Sequence, residues 1–181
     1  MQKRILRYSD ELRSSLLDGV GKLSNAVKIT MGPRGQNVLI EVEDAPPILT
    51  KDGVTVAEAI NLVDRFENLG AQVVKEAARQ TAEIAGDGTT TSTVLAQAIF
   101  EQGIKYLSTG GNIRDLRESL LEAKDFSINL LKESAVDIRN EKDLKNVATI
   151  SANGEESLGE IISEAVSKVG VHGYVSVENS K

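Results

Sequence analysis

Apolar residues recur with two distinct periods along this chain. Leu12, Leu16, Val20, Leu23 and Val27 are spaced by three and four, which predicts an amphipathic helix. Ser9 is its expected N-cap, Asp10 and Glu11 suit the positive end of its dipole, and Gly32-Pro33 is its expected end. Residues Asn37 to Glu43 then alternate, with Val38, Ile40 and Val42 on one face and Leu39, Glu41 and Glu43 on the other, which predicts a strand. Asp44-Ala45-Pro46-Pro47 is read as the turn and Ile48 to Thr50 as a short return strand. Lys51-Asp52-Gly53 closes this ribbon and opens a short helix through Val54, Ala57 and Ile60.

The helical period returns in Phe66, Leu69, Val73, Ala77 and Ile84, the expected inward stripe of a helix from Arg65 to Ala85. Its small residues, Ala71, Ala77, Ala78, Ala82 and Ala85, suit close packing. A second long helix begins with Val94, Leu95, Ala98 and Ile99 and runs to Gly110-Gly111. Asn112 is the expected cap of a third, with Ile113, Leu116, Leu120, Ala123 and Leu130 inward and Arg114, Asp115, Arg117 and Glu118 solvated. Three long helices with Ala-rich seams predict an all-α bundle. Shorter helices follow at Glu141 to Ile150 and Ser157 to Lys168, split by Ala152-Asn153-Gly154, and Tyr174 to Glu178 reads as a strand. The expected fold is mainly α with a small β-hairpin, then a small α+β segment, with a boundary between 1–133 and 134–181.

The candidate chemistry lies where the first two long helices meet, at Gly86-Asp87-Gly88-Thr89-Thr90-Thr91-Ser92-Thr93. The first N–H groups of a helix have no internal acceptor, so a helix start attracts anions. Gly86 and Gly88 permit close backbone approach, Thr89, Thr90 and Thr91 add hydroxyl donors, and Asp87 is a hard oxygen ligand suited to Mg²⁺. The same residues also suit an ordinary helix start with a Gly-Asp-Gly turn and Thr caps. The loop is not a Walker A motif, because the Gly-Lys-Ser/Thr ending is absent. Read alone, Thr30 to Gly35 is a turn, and Lys51 beside Asp52 is a solvated pair.

Composition narrows the class. With 40% hydrophobic and 27% charged residues the sequence has a globular profile, and at 3% aromatics without Trp its core must come from Leu, Val, Ile and Ala. The net charge of −6, with no run of Lys and Arg, argues against a nucleic-acid binder. The chain has no cysteine, so no disulfide or thiolate metal site is expected. No apolar run suits a signal peptide or a bilayer span, and the expected location is cytoplasmic, with no membrane partner. His172, the single histidine, reads as a surface turn residue.

Thr30-Met31-Gly32-Pro33-Arg34-Gly35, Lys51-Asp52-Gly53 and Gly86-Asp87-Gly88-Thr89-Thr90-Thr91 stand in the order and spacing of the chaperonins. Phe66-Glu67-Asn68-Leu69-Gly70-Ala71-Gln72 and Thr149-Ile150-Ser151-Ala152-Asn153 extend the likeness over nearly the whole chain. The sequence resembles the group I (bacterial-type, GroEL-like) chaperonins, since Lys51 stands where the archaeal and eukaryotic-cytosolic group usually has Asn. The resemblance covers the N-terminal portion of that family: the first part of the equatorial, nucleotide-binding domain (1–133) and the start of the intermediate, hinge domain (134–181).

The resemblance implies an ATPase that uses ATP and Mg²⁺ to drive folding of non-native proteins in a ring of identical subunits, with a co-chaperonin lid. It implies that Thr30, Met31, Gly32, Pro33 and Lys51 contact the nucleotide, that Gly88, Thr89, Thr90 and Thr91 hold phosphate, and that Asp87 holds the metal. Asp52 is implied as the carboxylate near the γ-phosphate that helps place the attacking water. The ribbon is implied to pair with strands of the neighbouring subunit. Two other readings remain: a partial chaperonin with an assembly or nucleotide-binding role and no turnover, and an unrelated small phosphotransferase built on the same loop.

Overall fold

The computed structural model describes residues 5–170 and 173–176. The chain divides into two units, Met1–Leu120 and Leu121–Lys181.

The first unit is built on α1 (Ser9–Lys28), α3 (Arg65–Ala85) and α4 (Thr89–Ser108), with the short α2 (Gly53–Ala59) against them. Val20, Leu23 and Val27 of α1, Val56 and Ala57 of α2, and Ala71 and Val74 of α3 form one buried cluster. Each fully buried Val or Leu contributes about 1.5–3 kcal/mol. The stripe expected on α1 is the one buried, Leu12 and Leu16 being half-covered. Its ends differ from expectation. Ser9 is the first helical residue, at φ 53°, and makes no side-chain cap. The helix stops at Lys28, short of Gly32-Pro33, because the hydroxyl and the N–H of Thr30 both donate to the Val27 carbonyl, at 2.8 and 3.1 Å.

Helix α3 has the expected bounds but turns a different face inward. Gly70, Ala71, Val74, Lys75 and Ala78 are buried, while Leu69, Val73 and Ile84 of the expected stripe are exposed. Small residues set this phase. A Cβ on Gly70 would overlap the Leu16 carbonyl and one on Gly19 the Glu67 carbonyl, so the two backbones pack where no larger side chain fits. Helix α4 likewise buries Thr93 and Gln97 and exposes Leu95 and Ile99. Those polar groups are matched: Thr93 donates to the Thr89 carbonyl, and Gln97 accepts from Lys28 at 2.8 Å and donates to Glu101 at 2.6 Å.

The hairpin pairs β1 (Val38–Val42) with β2 (Ala45–Thr50), antiparallel, with Leu39 opposite Leu49 and Ile40 opposite Ile48. The alternation in β1 is as expected. The turn is only Glu43-Asp44, with Asp44 at φ 58°, and Pro46 and Pro47 lie inside β2. A register shift between Ile40 and Val42 accommodates these residues, which have no N–H to give the ladder.

Helix α5 (Ile113–Ser134) starts on an Asn112 cap, its Oδ1 accepting from the Arg114 N–H at 2.9 Å. It has no buried residue: Ile113, Leu120, Ala123 and Leu130, expected inward, are exposed, and Leu116 is half-covered, facing Gly103. The bundle of the first unit is thus α1, α3 and α4, not α3, α4 and α5. In the second unit α6 (Glu141–Ser151) and α7 (Glu156–Val169) form a helical hairpin. Asn153 and Gly154 turn it at φ 55° and 89°, and Gly159 packs on the Thr149 backbone. Tyr174 to Ser176 form no strand; Val177, Glu178 and His172 lie outside the described residues. Among the described residues no helix is long and apolar enough to cross a membrane.

Candidate functional site

Helix α3 ends on Gly86 at φ 72°, Gly88 stands at φ 81° as the N-cap of α4, and Asp87 bridges them. Two left-handed residues in so short a turn require glycine. Asp87 Oδ1 accepts the Gly88 N–H at 2.6 Å, and the first bond of α4 runs from the Ser92 N–H to the Gly88 carbonyl at 2.9 Å. The N–H groups of Thr89, Thr90 and Thr91 therefore precede the helical ladder and have no acceptor within it, an arrangement suited to an anion. Just beyond, the Thr81 and Ser92 hydroxyls stand 2.9 Å apart and share the Ala77 carbonyl, bracing α3 against α4.

The Lys51–Gly53 turn closes on this one, and the Thr30–Gly35 loop closes on Lys51. Gly53 is buried, and a Cβ there would overlap Thr90 Oγ1, so the Lys51–Gly53 turn lies directly on the first turn of α4. Gly35 meets the Lys51 side chain and the Thr30 carbonyl in the same way. The Thr30–Gly35 loop is held by Gln36 N–H to the Ile29 carbonyl at 2.8 Å and Gly35 N–H to the Gly32 carbonyl at 2.9 Å, with Gly32 at φ 75°. Thr30 is buried with its hydroxyl turned inward, while Met31, Gly32 and Pro33 are exposed on the loop. The structure thus joins Gly35, Lys51, Gly53 and Thr90 in one run of contacts.

Asp52 has a structural partner that the sequence reading missed. It caps α2, its Oδ2 accepting from the Thr55 N–H at 2.8 Å and the Thr55 hydroxyl at 2.6 Å. The carboxylate is therefore fixed in direction. The far end of α2 is held by two residues of α3 that were also missed. Lys75 donates to the Glu58 carbonyl at 3.1 Å, and Arg79 grips the Glu58 carboxylate at 2.6 and 2.7 Å. Burial pushes the Lys75 pKa down against the pull of Glu58, while the Arg79 hydrogen bond holds the Glu58 carboxyl below its usual range. The missed signal was positional: Ala71, Lys75 and Ala78 share the small-residue face of α3.

The N-terminal side is anchored separately. Arg7 pairs with both oxygens of Asp64, at 3.0 and 2.8 Å, and stacks on Phe66 with 4.6 Å to the ring centroid. Asp64 in turn caps α3 through the Phe66 and Glu67 N–H groups. Among the described residues no three acidic, His or Cys side chains cluster as a metal site. A Mg²⁺ ion shared with phosphate needs only one or two carboxylates, the rest of its shell being phosphate oxygen and water, so a single Asp87 fits that ion.

Residues 23–181 match the TCP-1/cpn60 chaperonin family. The chain belongs to that family. This chaperonin chain superposes on the chaperonin gp146 from the bacteriophage EL 2 (Pseudomonas aeruginosa), solved in the presence of ATP-BeFx, with TM-scores of 0.76 and 0.75 in two crystal forms. Identity is 28%, over 92% of this chain and 30% of that one. A group III chaperonin in the open state shares the fold at a TM-score of 0.72 and 24% identity, over 87% of this chain and 32% of that one. The chaperonin chain thus spans under a third of the length of these structures.

Proposed function

We propose that this chain is the N-terminal portion of a group I-type chaperonin subunit, which binds Mg²⁺ and ATP and hydrolyses ATP to drive folding of non-native proteins. Residues 1–133 would belong to the equatorial domain and 134–181 to the intermediate domain. The subunit would work in the cytoplasm, in a ring of identical copies with a co-chaperonin lid. The observation that carries the nucleotide assignment is the closure of three loops on one another, Gly35 on Lys51 and Gly53 on Thr90. That the related phage chaperonin was solved with ATP-BeFx supports the same ligand.

Phosphoryl transfer to water asks a protein mainly for position and charge. The N–H groups of Thr89, Thr90 and Thr91 and their hydroxyls would hold phosphate oxygens, with Gly88 allowing close approach. The Thr30–Pro33 backbone and Lys51 would hold the rest of the nucleotide. Asp87 would ligate Mg²⁺, which supplies charge neutralisation at the phosphates when bound. Asp52, fixed by its cap on α2, would orient the attacking water. The test is titration with a fluorescent ATP analogue, with and without Mg²⁺. Asp87→Ala should abolish the Mg²⁺-dependent binding; unchanged affinity would remove the metal assignment.

A second reading is a nucleotide-binding or assembly module without turnover. It applies to residues 1–181 taken alone, which span 30–32% of the matched chaperonins. Phosphate release by the purified chain separates the two readings.

A further inference from the structure

Lys75 has the largest fully buried side chain among the described residues, with 2% of its surface exposed. Burying an ammonium is costly, and an unbranched apolar residue of similar length would fill the same space without that cost. What the ammonium adds is a donor for the Glu58 carbonyl. Glu58 is next to last in α2, where a carbonyl has no helical N–H to accept from. Arg79, one turn along α3, takes the carboxylate of the same residue.

This double hold has a geometric consequence. Helix α2 is seven residues long, too short to keep its place through its own ladder. Its position is set by its two ends and by Val56 and Ala57 in the core. One end is Lys75 and Arg79; the other is the Asp52 cap and the contact of Gly53 with Thr90. The helix that grips the far end of α2 is also the helix that runs into Gly86 and Gly88. Helix α3 therefore fixes both Asp52, through α2, and the turn that leads into Thr90, on which the neighbouring Gly53 packs.

We propose that Lys75, seconded by Arg79, is a positioning residue that sets Asp52 and Gly53 against the Gly86–Thr91 turn. The catalytic meaning of that position rests on the nucleotide reading above, but the positioning is testable without nucleotide. Amide hydrogen exchange in this chain reads it at Thr55, bonded to Asp52 Oδ2, and at Val56, bonded to the Asp52 carbonyl.

Lys75→Met keeps the volume of the stem and removes the donor. It should speed exchange at Thr55 and Val56 by about tenfold, with no fall in melting temperature and no change in α6 and α7. Mg²⁺-dependent affinity for a fluorescent ATP analogue should fall several-fold in the same variant. Arg79→Gln, at a half-exposed site, should give a smaller acceleration at the same two amides, and it decides the matter if Lys75→Met does not fold. Exchange at the wild-type rate in every folded variant would overturn the proposal. So would acceleration spread evenly over α1, α3 and α4 with a lower melting temperature, which marks a purely structural role. If the amides respond but the wild-type chain binds no nucleotide, the positioning stands and the nucleotide reading fails.

Discussion

Gly53 lies against Thr90 so closely that a methyl group on the glycine would overlap the threonine hydroxyl. The residues are far apart in sequence, one at the start of the seven-residue helix and the other in the first turn of α4. Their contact joins the Lys51–Gly53 turn to the Gly86–Thr91 turn. It brings together two motifs that, read singly, are an ordinary surface pair and an ordinary helix start.

Gly53→Ala tests that contact. Its backbone is not left-handed, so helix propensity alone would favour Ala by up to about 1 kcal/mol. The overlap should outweigh this. Thr90 must rotate its hydroxyl away, and Val27, whose Cγ1 would lie 3.2 Å from the new Cβ, limits any other relief. Overpacking of this kind costs about 1–3 kcal/mol. Urea unfolding should show a net loss, Thr90→Ala in the same background should restore much of it, and nucleotide affinity should drop in both. A single variant as stable as the parent would show that the two turns do not bear on each other.

The bounds of α3 were legible because strong local signals flank it. Asp64 caps its start and Gly86 takes the left-handed conformation at its end. Its buried face was not legible, since a periodicity argument follows the large residues, Leu69 and Val73, whereas close approach to α1 depends on Gly70 and Ala71. Lys75 escaped notice for a related reason: lysine is read as solvated unless its neighbours on the helix face are examined. Pro46 and Pro47 suggested a turn, but a register shift holds them in a strand. The loop motifs were legible as motifs. Their mutual contact is tertiary, and no local pattern contains it.

Acid should weaken the first unit through two carboxylates. Asp64 is held low first by its hydrogen bond to Arg7 and then by the Glu67 and Phe66 N–H groups, and Glu58 is held low by Arg79. A carboxyl whose folded pKa lies below its unfolded value stabilises the fold above the unfolded value. That contribution is lost as pH falls through the folded one. Stability from these groups should be constant above about pH 5 and decline below about pH 4. Asp64→Asn retains an oxygen to cap α3 but removes the charge paired with Arg7. Melting curves against pH should therefore show a shallower acid limb in the variant. An identical limb would mean that the pair contributes nothing to acid lability.

Residues 1–181 should not turn ATP over at a chaperonin-like rate. The chain spans 30–32% of the chaperonin structures it matches. Removing a single well-placed group from an enzyme site commonly costs about a hundredfold or more. A phosphate-release assay on pure material is decisive. Steady turnover that disappears in Asp52→Ala would show the described surface to be sufficient, and would favour the enzymatic reading over the binding module.

Assembly gives the last prediction. Among the described residues the hairpin has two strands, so each carries one edge without a partner there. The edge on β2 is poor for further pairing, because Pro46 and Pro47 have no N–H. The edge on β1, Val38–Val42, keeps its donors, and Leu39 and Leu49 form an exposed apolar pair across the ribbon, with 66% and 65% of their surfaces open. In the proposed ring this edge would be completed by strands from a neighbour's chain termini. Tyr174 to Ser176 form no strand that could serve. One short strand added to one edge is a weak joint, since a two-stranded ribbon is itself barely stable alone. Residues 1–181 should therefore be monomeric or weakly associating, whereas the complete subunit proposed above would form rings. Sedimentation velocity over a roughly hundredfold concentration range measures this directly, because any weak association must shift with mass action. A ring-sized species persisting at low micromolar concentration would mean that the β1 edge and the N-terminal segment suffice to close the assembly.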